Sequence, residues 1–369
     1  MALNMDKNDF QTGANDYSLN IALNYGQGTC SAQMLQLLIH NPRYADWGCC
    51  LTTGNTSAWD SALRMFCEEG DYIIVDEYSF SSALERAWAL GIKTLSVAMD
   101  AQGLIPSGLD SVLGNWDPES QRARKPFLLN MVQTGQNPTG AVQSIERREA
   151  NYALAQKHGF EALNQLCPLV PSYLSLDIDG RVLRLDSLSK VLAPGCLLGN
   201  QQVIEKFIRQ NETSAQHQSG FSQVIDYSLL NHVWGHLGFV PWLEYMQAEY
   251  TWRRDTLAQA CMEALPRHIA SWCPPQAGMF QWIEIDWKSH PLYKAGASHR
   301  EIEQRVLTAA VERKVFLTPG SCFWSAGDTS EQGRMFFRTT FATASRGELR
   351  EAARRFGDAL RIQFQSDAV

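Results

Sequence analysis

The stretch Asp186-Ser187-Leu188-Ser189-Lys190-Val191-Leu192-Ala193-Pro194-Gly195 follows a short β-rich run, Arg181-Val182-Leu183-Arg184-Leu185. It sets a lysine where a strand runs out into a loop, with two serine hydroxyls just before it. An amine in that place is positioned to condense with an aldehyde, and hydroxyls beside it can hydrogen-bond a phosphate. Taken alone, the pattern equally describes a solvated lysine after a strand. The surrounding chain has to decide between the two.

Working outward, strand and helix patterns alternate from residue 50 onward. Gly54-Asn55-Thr56-Ser57 opens a helix whose apolar residues Trp59, Ala62, Leu63 and Phe66 recur at helical spacing, with Gly70 as its stop. Tyr72–Val75, Thr94–Ala98 and Phe127–Val132 read as nearly continuous apolar runs, the form of parallel strands buried on both faces. Helical segments between them imply right-handed crossovers and a doubly wound sheet. Ser144 is placed to cap a helix running to Gly159. After Gly159 the rhythm breaks: Glu161 to Pro171 carries no strand signature, and a strand resumes only at Arg181.

Beyond Gly199 the composition turns helical, with one segment at Ile204–Ile208 and a long pattern from Trp242 to Leu265. Strands at Met279–Ile285, Val315–Leu317 and Met335–Arg338, with a helix from His299 to Lys314, make a smaller α+β unit. Ser345 with Glu348 forms a capping box before a helix striped by Leu349, Ala352, Phe356 and Leu360. The organisation expected is therefore an N-terminal segment (1–23), a large α/β domain (24–235) and a small C-terminal α+β domain (236–369).

Bulk properties narrow the class. A chain of 369 residues, 45% apolar and 19% charged, is long enough for two domains and ordinary for a globular enzyme. A net charge of −7 gives no electrostatic reason to expect nucleic acid or an anionic membrane as partner. Nine cysteines, none in a C-x-x-C arrangement, read as reduced thiols and not as a disulfide framework or zinc site; no metal is expected. The pair Cys49-Cys50 reads as strand packing. No signal peptide or bilayer-spanning apolar run is visible, so the expected location is the cytoplasm. Asn24-Tyr25-Gly26-Gln27-Gly28-Thr29 lacks the third glycine and the preceding strand of a dinucleotide fingerprint.

Four separated features suit one cofactor. Gly54-Asn55-Thr56 at a helix N-terminus is an anion cradle of backbone N–H groups. Phe80, past a strand end, offers a flat ring for stacking. Asn137, also past a strand end, offers an amide, with Pro138-Thr139-Gly140 forming its turn. Lys190 offers the amine. All four fall at the carboxyl ends of expected parallel strands, where open α/β sheets bind ligands. Phosphate, aromatic ring and aldehyde together describe pyridoxal 5'-phosphate.

On these motifs the chain resembles the fold-type I pyridoxal-phosphate aminotransferases of class I/II. It is most similar to the fungal aromatic-amino-acid, kynurenine and 2-aminoadipate subgroup. The marks, in order, are Asn24-Tyr25-Gly26-Gln27-Gly28, Gly54-Asn55-Thr56-Ser57-Ala58-Trp59-Asp60, Gln136-Asn137-Pro138-Thr139-Gly140, Asp186-Ser187-Leu188-Ser189-Lys190-Val191, Ala277-Gly278-Met279-Phe280 and Phe336-Phe337-Arg338. The resemblance implies transfer of an amino group from an aromatic amino acid to a 2-oxo acid, in secondary metabolism for some relatives. It implies Lys190 as covalent anchor and proton-transfer base, with Gly54, Asn55, Thr56, Ser187 and Ser189 on the phosphate. Phe80 would stack on the ring and Asn137 would bond its phenolic oxygen. Arg338 would grip the substrate carboxylate, and Tyr25 would reach into the neighbouring subunit's site of a homodimer.

The sequence also departs from that pattern. The family's strand after the Asn-Pro-Thr-Gly helix carries an aspartate for the pyridine nitrogen and, soon after, a tyrosine. Here Glu161 to Pro171 replaces it, and neither Glu161 nor Tyr173 takes those roles. Leu197 stands where the family has a phosphate-binding arginine, a loss on the order of 1.5–3 kcal/mol, about ten- to a hundred-fold in cofactor affinity. A further family strand is also expected to be missing near Leu198–Gln202, and the arm before Tyr25 is short. Losses at such sharp points suggest a shortened gene product or a misread exon boundary. Two alternatives to a working aminotransferase stay open: a catalytically impaired relative and a pyridoxal-phosphate-dependent lyase.

Overall fold

A computed structural model describes residues 47–52, 55–159, 161–165, 172–186, 196–200, 235–327 and 333–365. The first part of the chain runs β1 (Trp47–Leu51), α1 (Asn55–Phe66), β2 (Tyr72–Asp76), α2 (Ser81–Ala89) and β3 (Lys93–Val97). A small hairpin of β4 (Met99–Asp100) and β5 (Gly103–Leu104) leads to α3 (Pro106–Gly114). Then come β6 (Leu128–Val132), α4 (Ile145–His158), β7 (Glu161–Gln165), β8 (Val182–Asp186) and β9 (Cys196–Asn200).

These strands form a seven-stranded sheet in the order β1-β9-β8-β7-β6-β2-β3. The run from β3 to β8 is parallel, and β9 lies antiparallel to both β8 and β1. Apolar residues of the parallel strands feed both faces, as a buried parallel sheet requires. On one face Ile73, Val75, Leu128, Leu183 and Leu185 pack against Ala58, Trp59, Leu63 and Leu84 of α1 and α2. On the other, Ile74, Leu129, Met131 and Val182 meet Leu109 and Leu113 of α3 and Tyr152 and Ala155 of α4. The expected doubly wound α/β architecture is thus present. Ser144 caps α4 by accepting from Arg147 N, and Gly159 closes it in the left-handed conformation.

The second sheet belongs to the C-terminal part. After the long α5 (Gly235–Ala264) come β10 (Ala270–Trp272), β11 (Phe280–Ile285), α6 (His299–Glu312), β12 (Thr318–Pro319), β13 (Met335–Thr340) and α7 (Arg346–Phe364). The four strands pair antiparallel in the order β10-β11-β13-β12. Side chains alternate: Ile283, Ile285, Met335 and Phe337 enter the core under the helices. Trp282 and Phe336, on the opposite face, pack with Tyr78 just beyond β2. Both α6 and α7 begin with complete capping boxes, Ser298 with Glu301 and Ser345 with Glu348. Among the described residues no helix is long and apolar enough to cross a membrane.

Several expectations need correction. The strand thought to be missing after Gly159 exists: Glu161–Gln165 pairs in parallel with β6 on one side and β8 on the other. Glu, Ala, Asn and Gln are weak strand formers, so the two flanking ladders, and not local propensity, make this segment extended. The strand expected to be absent near Leu198 is also present, as β9. Val315–Leu317 forms no ladder; the strand is the two residues Thr318–Pro319, and Phe316 is 82% exposed. Helix α1 stops at Phe66, and Gly70 instead turns the chain into β2 with φ +90°. The segments 1–46 and 201–234, with the Ile204–Ile208 helix, lie outside the described residues.

The two sheets meet across a seam of bare backbone. A Cβ on Gly135 would fall 2.7 Å from the nitrogen of Gly278, and a Cβ on Gly278 would fall 3.1 Å from the Gly135 carbonyl oxygen. Both glycines have positive φ, 62° and 81°. Only glycine gives that backbone shape and that approach at once. A second strap joins the same units: Ser79 N donates to Phe323 O at 2.8 Å, and Ser325 N donates to Glu77 O at 3.1 Å.

Candidate active site

The carboxyl ends of the parallel strands carry the described candidates. Asn55 is the first residue of α1, so the unpaired N–H groups of that helix's first turn open beside it. Its Oδ1 is buried with no hydrogen-bond partner among the described residues. As an acceptor this oxygen calls for a donor and not for an anion; the anion-binding capacity of this turn lies in its backbone N–H groups. Thr56 follows on the exposed side of the turn. The Trp59 indole donates to Ala83 O at 3.0 Å, locking α1 to the start of α2.

Phe80 precedes α2 with extended backbone, φ −58° and ψ 119°, and is 36% exposed. It is not a core residue.

Asn137 sits in the turn that leaves β6. Gln136 holds this turn: its Oε1 accepts from Thr139 N at 3.0 Å and from Thr139 Oγ1 at 2.7 Å. Arg338 of β13 arrives from the other sheet, and its Nη1 donates to Asn137 Oδ1 at 2.7 Å across 201 residues of sequence. Its Nη2 reaches Thr318 Oγ1 at 3.3 Å. The guanidinium lies over Phe280 at 4.2 Å and over Phe323 at 4.7 Å, so two aromatic faces set its plane. Burial pulls the Arg338 pKa below the usual guanidinium value, with the nearby Cys322 thiol opposing. A partly desolvated, flat cation in this position suits a carboxylate.

Beneath the turn lies a polar core that the sequence did not announce. Asp76, at the end of β2, is buried, and burial pushes its carboxyl up to about 7 despite a hydrogen bond from Gln136. Tyr173 donates to Gln143 Oε1 at 2.6 Å and accepts from Asn151 Nδ2 at 3.3 Å. It is a buried structural residue, consistent with its having no place in the ring site. Sequence reasoning missed Phe280 and Phe323 as flanks of Arg338 and treated Gln136 only as part of a motif. Phe280 and Gln136 did lie inside quoted motifs, and that was the available signal.

Five candidates, Tyr25, Gly54, Ser187, Ser189 and Lys190, lie outside the described residues. Strand β8 does end at Asp186, so Lys190 follows a carboxyl end of the parallel sheet. Backbone register places Glu161 opposite Leu128, at the amino end of β7 and away from the site. Asn164 and Gln165 hold the carboxyl end, opposite Met131 and Val132. Leu197 falls within β9, opposite Leu185 of β8 and Cys50 of β1. The described residues that could hold a phosphorylated aromatic cofactor are Asn55 and Thr56 through backbone N–H groups at the start of α1, Phe80 through its ring and Asn137 through its amide.

Comparison with known proteins gives a consistent picture. The family description "Aminotransferase class I and II" matches residues 42–356. An aromatic amino acid aminotransferase of Schizosaccharomyces pombe is 40% identical, over 94% of this chain and 80% of that protein. Aminotransferase swnA of Metarhizium robertsii is 36% identical, over 94% of this chain and 76% of its own length. Among solved structures, aminotransferase Aro8 from Candida albicans superposes with a TM-score of 0.81 at 37% identity, covering 87% of this chain and 74% of that one.

Proposed function

The chain belongs to the class I and II aminotransferases, and on that premise we propose that it holds pyridoxal 5'-phosphate and moves an amino group from an aromatic amino acid to a 2-oxo acid. Tryptophan, tyrosine, phenylalanine and kynurenine are the donor type, in keeping with the fission-yeast relative's name. The observation that carries this reading is the Arg338–Asn137 contact of 2.7 Å, which joins a carboxylate fork to the amide beside the cofactor position.

Bound pyridoxal phosphate supplies an electron sink for the charge that develops at the substrate α-carbon. This chain's residues do the rest. Arg338 binds the α-carboxylate through two parallel N–H groups, which fixes the Cα–H bond in direction. Asn137, with Oδ1 occupied by Arg338, keeps Nδ2 as donor to the phenolic oxygen. Phe80 covers one ring face and excludes water from it. Gly54, Asn55, Thr56, Ser187 and Ser189 hold the phosphate. Lys190 would anchor the cofactor and, as a free amine, would take up and return the substrate α-proton on Nζ.

The same reading takes in a homodimer in which Tyr25 completes the neighbouring site, a cytoplasmic location, a role in secondary metabolism, and no nucleic-acid or membrane partner. It also takes in a division near residue 235, between a cofactor-holding unit of 24–235 and a small unit of 236–369.

A second reading, a catalytically impaired relative, is favoured by one observation: the carboxyl end of β7 carries Asn164 and Gln165 and no acid. An amide cannot hold a pyridine nitrogen protonated as a carboxylate does. The test is to add pyridoxal phosphate to purified protein, reduce with borohydride and locate the label. Label on Lys190 together with turnover of an aromatic amino acid and 2-oxoglutarate supports the first reading. Label without turnover supports the second, ammonia release without an oxo acid supports a lyase, and no label refutes the cofactor reading.

A further inference from the structure

We infer that Gln136 is a positioning residue that ties Phe80 and Asn137 into one unit; the inference rests on the cofactor reading above. The ladder between β2 and β6 ends at the pair Val75 and Asn130. Beyond Asp76 and Val132 the segments bearing Phe80 and Asn137 leave the sheet, and one buried side chain spans them. Gln136 Nε2 donates to Tyr78 O at 2.6 Å and to Asp76 Oδ2 at 3.3 Å. Its Oε1 accepts from Thr139 N at 3.0 Å and Thr139 Oγ1 at 2.7 Å. A carboxamide has two N–H donors and one oxygen with two lone pairs, so every position on this side chain is in use.

The partners explain the effect. Tyr78 lies two residues before Phe80 and Thr139 two residues after Asn137. One amide therefore sets the separation between the residue that covers the ring face and the residue that bonds its phenolic oxygen. The turn is also closed on itself, with Gly140 N donating to Gln136 O at 2.6 Å and Gln136 N donating to Ala141 O at 3.0 Å. The Phe80 side has its own tie, Ser79 N to Phe323 O at 2.8 Å. Each segment is rigid, and Gln136 couples the two. Glutamate cannot substitute at pH 8: it keeps the acceptor for Thr139 but loses the donor to the Tyr78 carbonyl and faces Asp76.

Two variants separate the halves of this bridge. In amide hydrogen exchange at pH 8, Gln136→Met is expected to speed exchange about ten-fold both at Thr139 and in the segment 79–84, the size of one lost hydrogen bond. Gln136→Glu is expected to leave Thr139 protected and speed only 79–84. With pyridoxal phosphate bound, both variants should show a weakened visible circular dichroism band and a shifted pH titration of cofactor absorbance. A purely structural role would lower the melting temperature and leave both spectral readouts at the wild-type values, which would overturn the inference. Speeding confined to Thr139 in the methionine variant, or spread evenly over the chain, would overturn it too. Should the methionine variant not fold, the glutamate variant decides alone by the same pattern. Wild-type protein that takes up no cofactor would refute the function reading, and the exchange arm would still decide the coupling.

Discussion

The two walls of the site are held by different physics. The wall from the seven-stranded sheet, with Phe80 and Asn137, is fixed by directional hydrogen bonds that converge on Gln136. The wall from the four-stranded sheet presents Arg338 between two phenyl faces at 4.2 and 4.7 Å, contacts tolerant of sliding in the plane, and ties it to the first wall by one hydrogen bond to Asn137 Oδ1 at 2.7 Å. Hydrogen bonds lose strength steeply with angle, whereas cation–π contact changes gently with lateral shift. A cofactor that stays needs the first kind of support. A substrate that comes and goes is served by the second.

The division of labour makes claims that can be broken. The largest effect is expected for Arg338→Ala, which should lower kcat/KM for amino and oxo acids about a hundred- to a thousand-fold, the scale of an unpaired charge. Cofactor affinity, measured by absorbance titration, should fall by a much smaller factor, about two- to ten-fold, because the variant loses only the hydrogen bond that orients Asn137. Equal losses in both would show that the walls act as one.

Next comes Asp76, under the first wall. Burial pushes its carboxyl up to about 7, above the ordinary aspartate range of about 4. For an acid raised in this way, stability is intact below pH 4 and falls as pH rises through the window from about 4 to 7. Asp76→Asn removes that slope, and at pH 8 the variant should exceed wild type in stability by no more than about 4 kcal/mol. Urea melts at pH 5 and pH 8 measure it; a wild-type curve flat across that window would rule the strain out.

Gly278→Ala tests the seam between the walls. The new Cβ would sit 3.1 Å from Gly135 on a backbone of φ 81°. Displacement of β11 and β13 should cost about ten-fold in kcat/KM, because small errors in substrate placement are expensive. Cofactor affinity should hold. The smallest effect is expected for Phe80→Leu, a two- to ten-fold weaker cofactor Kd with KM for the amino acid little changed.

The sequence showed the parallel strands because β2, β3 and β6 are nearly apolar runs, and showed two helix starts because Ser144 and Ser345 carry local capping chemistry. It showed Asn137 and Arg338 through motifs but not their contact, which spans 201 residues. Strand β7 was illegible because Glu161-Ala162-Leu163-Asn164-Gln165 owes its conformation to neighbours on both sides. Gln136 was illegible as an actor because its partners Tyr78 and Asp76 lie 58 and 60 residues upstream. Local signals were readable, and bridging ones were not.

The glycine seam has a consequence for modularity. Gly135 and Gly278 touch through main-chain atoms, while Tyr78 against Trp282 and Phe336, and Asn137 against Arg338, supply the side-chain part of the same joint. A C-terminal unit from another member of the family, recombined at the start of α5, needs a glycine with the same left-handed turn and side chains that meet Tyr78 and Asn137 to dock there. What such a chimera exchanges is the arginine wall with its two phenyl flanks, while the cofactor wall stays behind. On the proposed function, such an exchange would test whether substrate choice travels with the arginine wall.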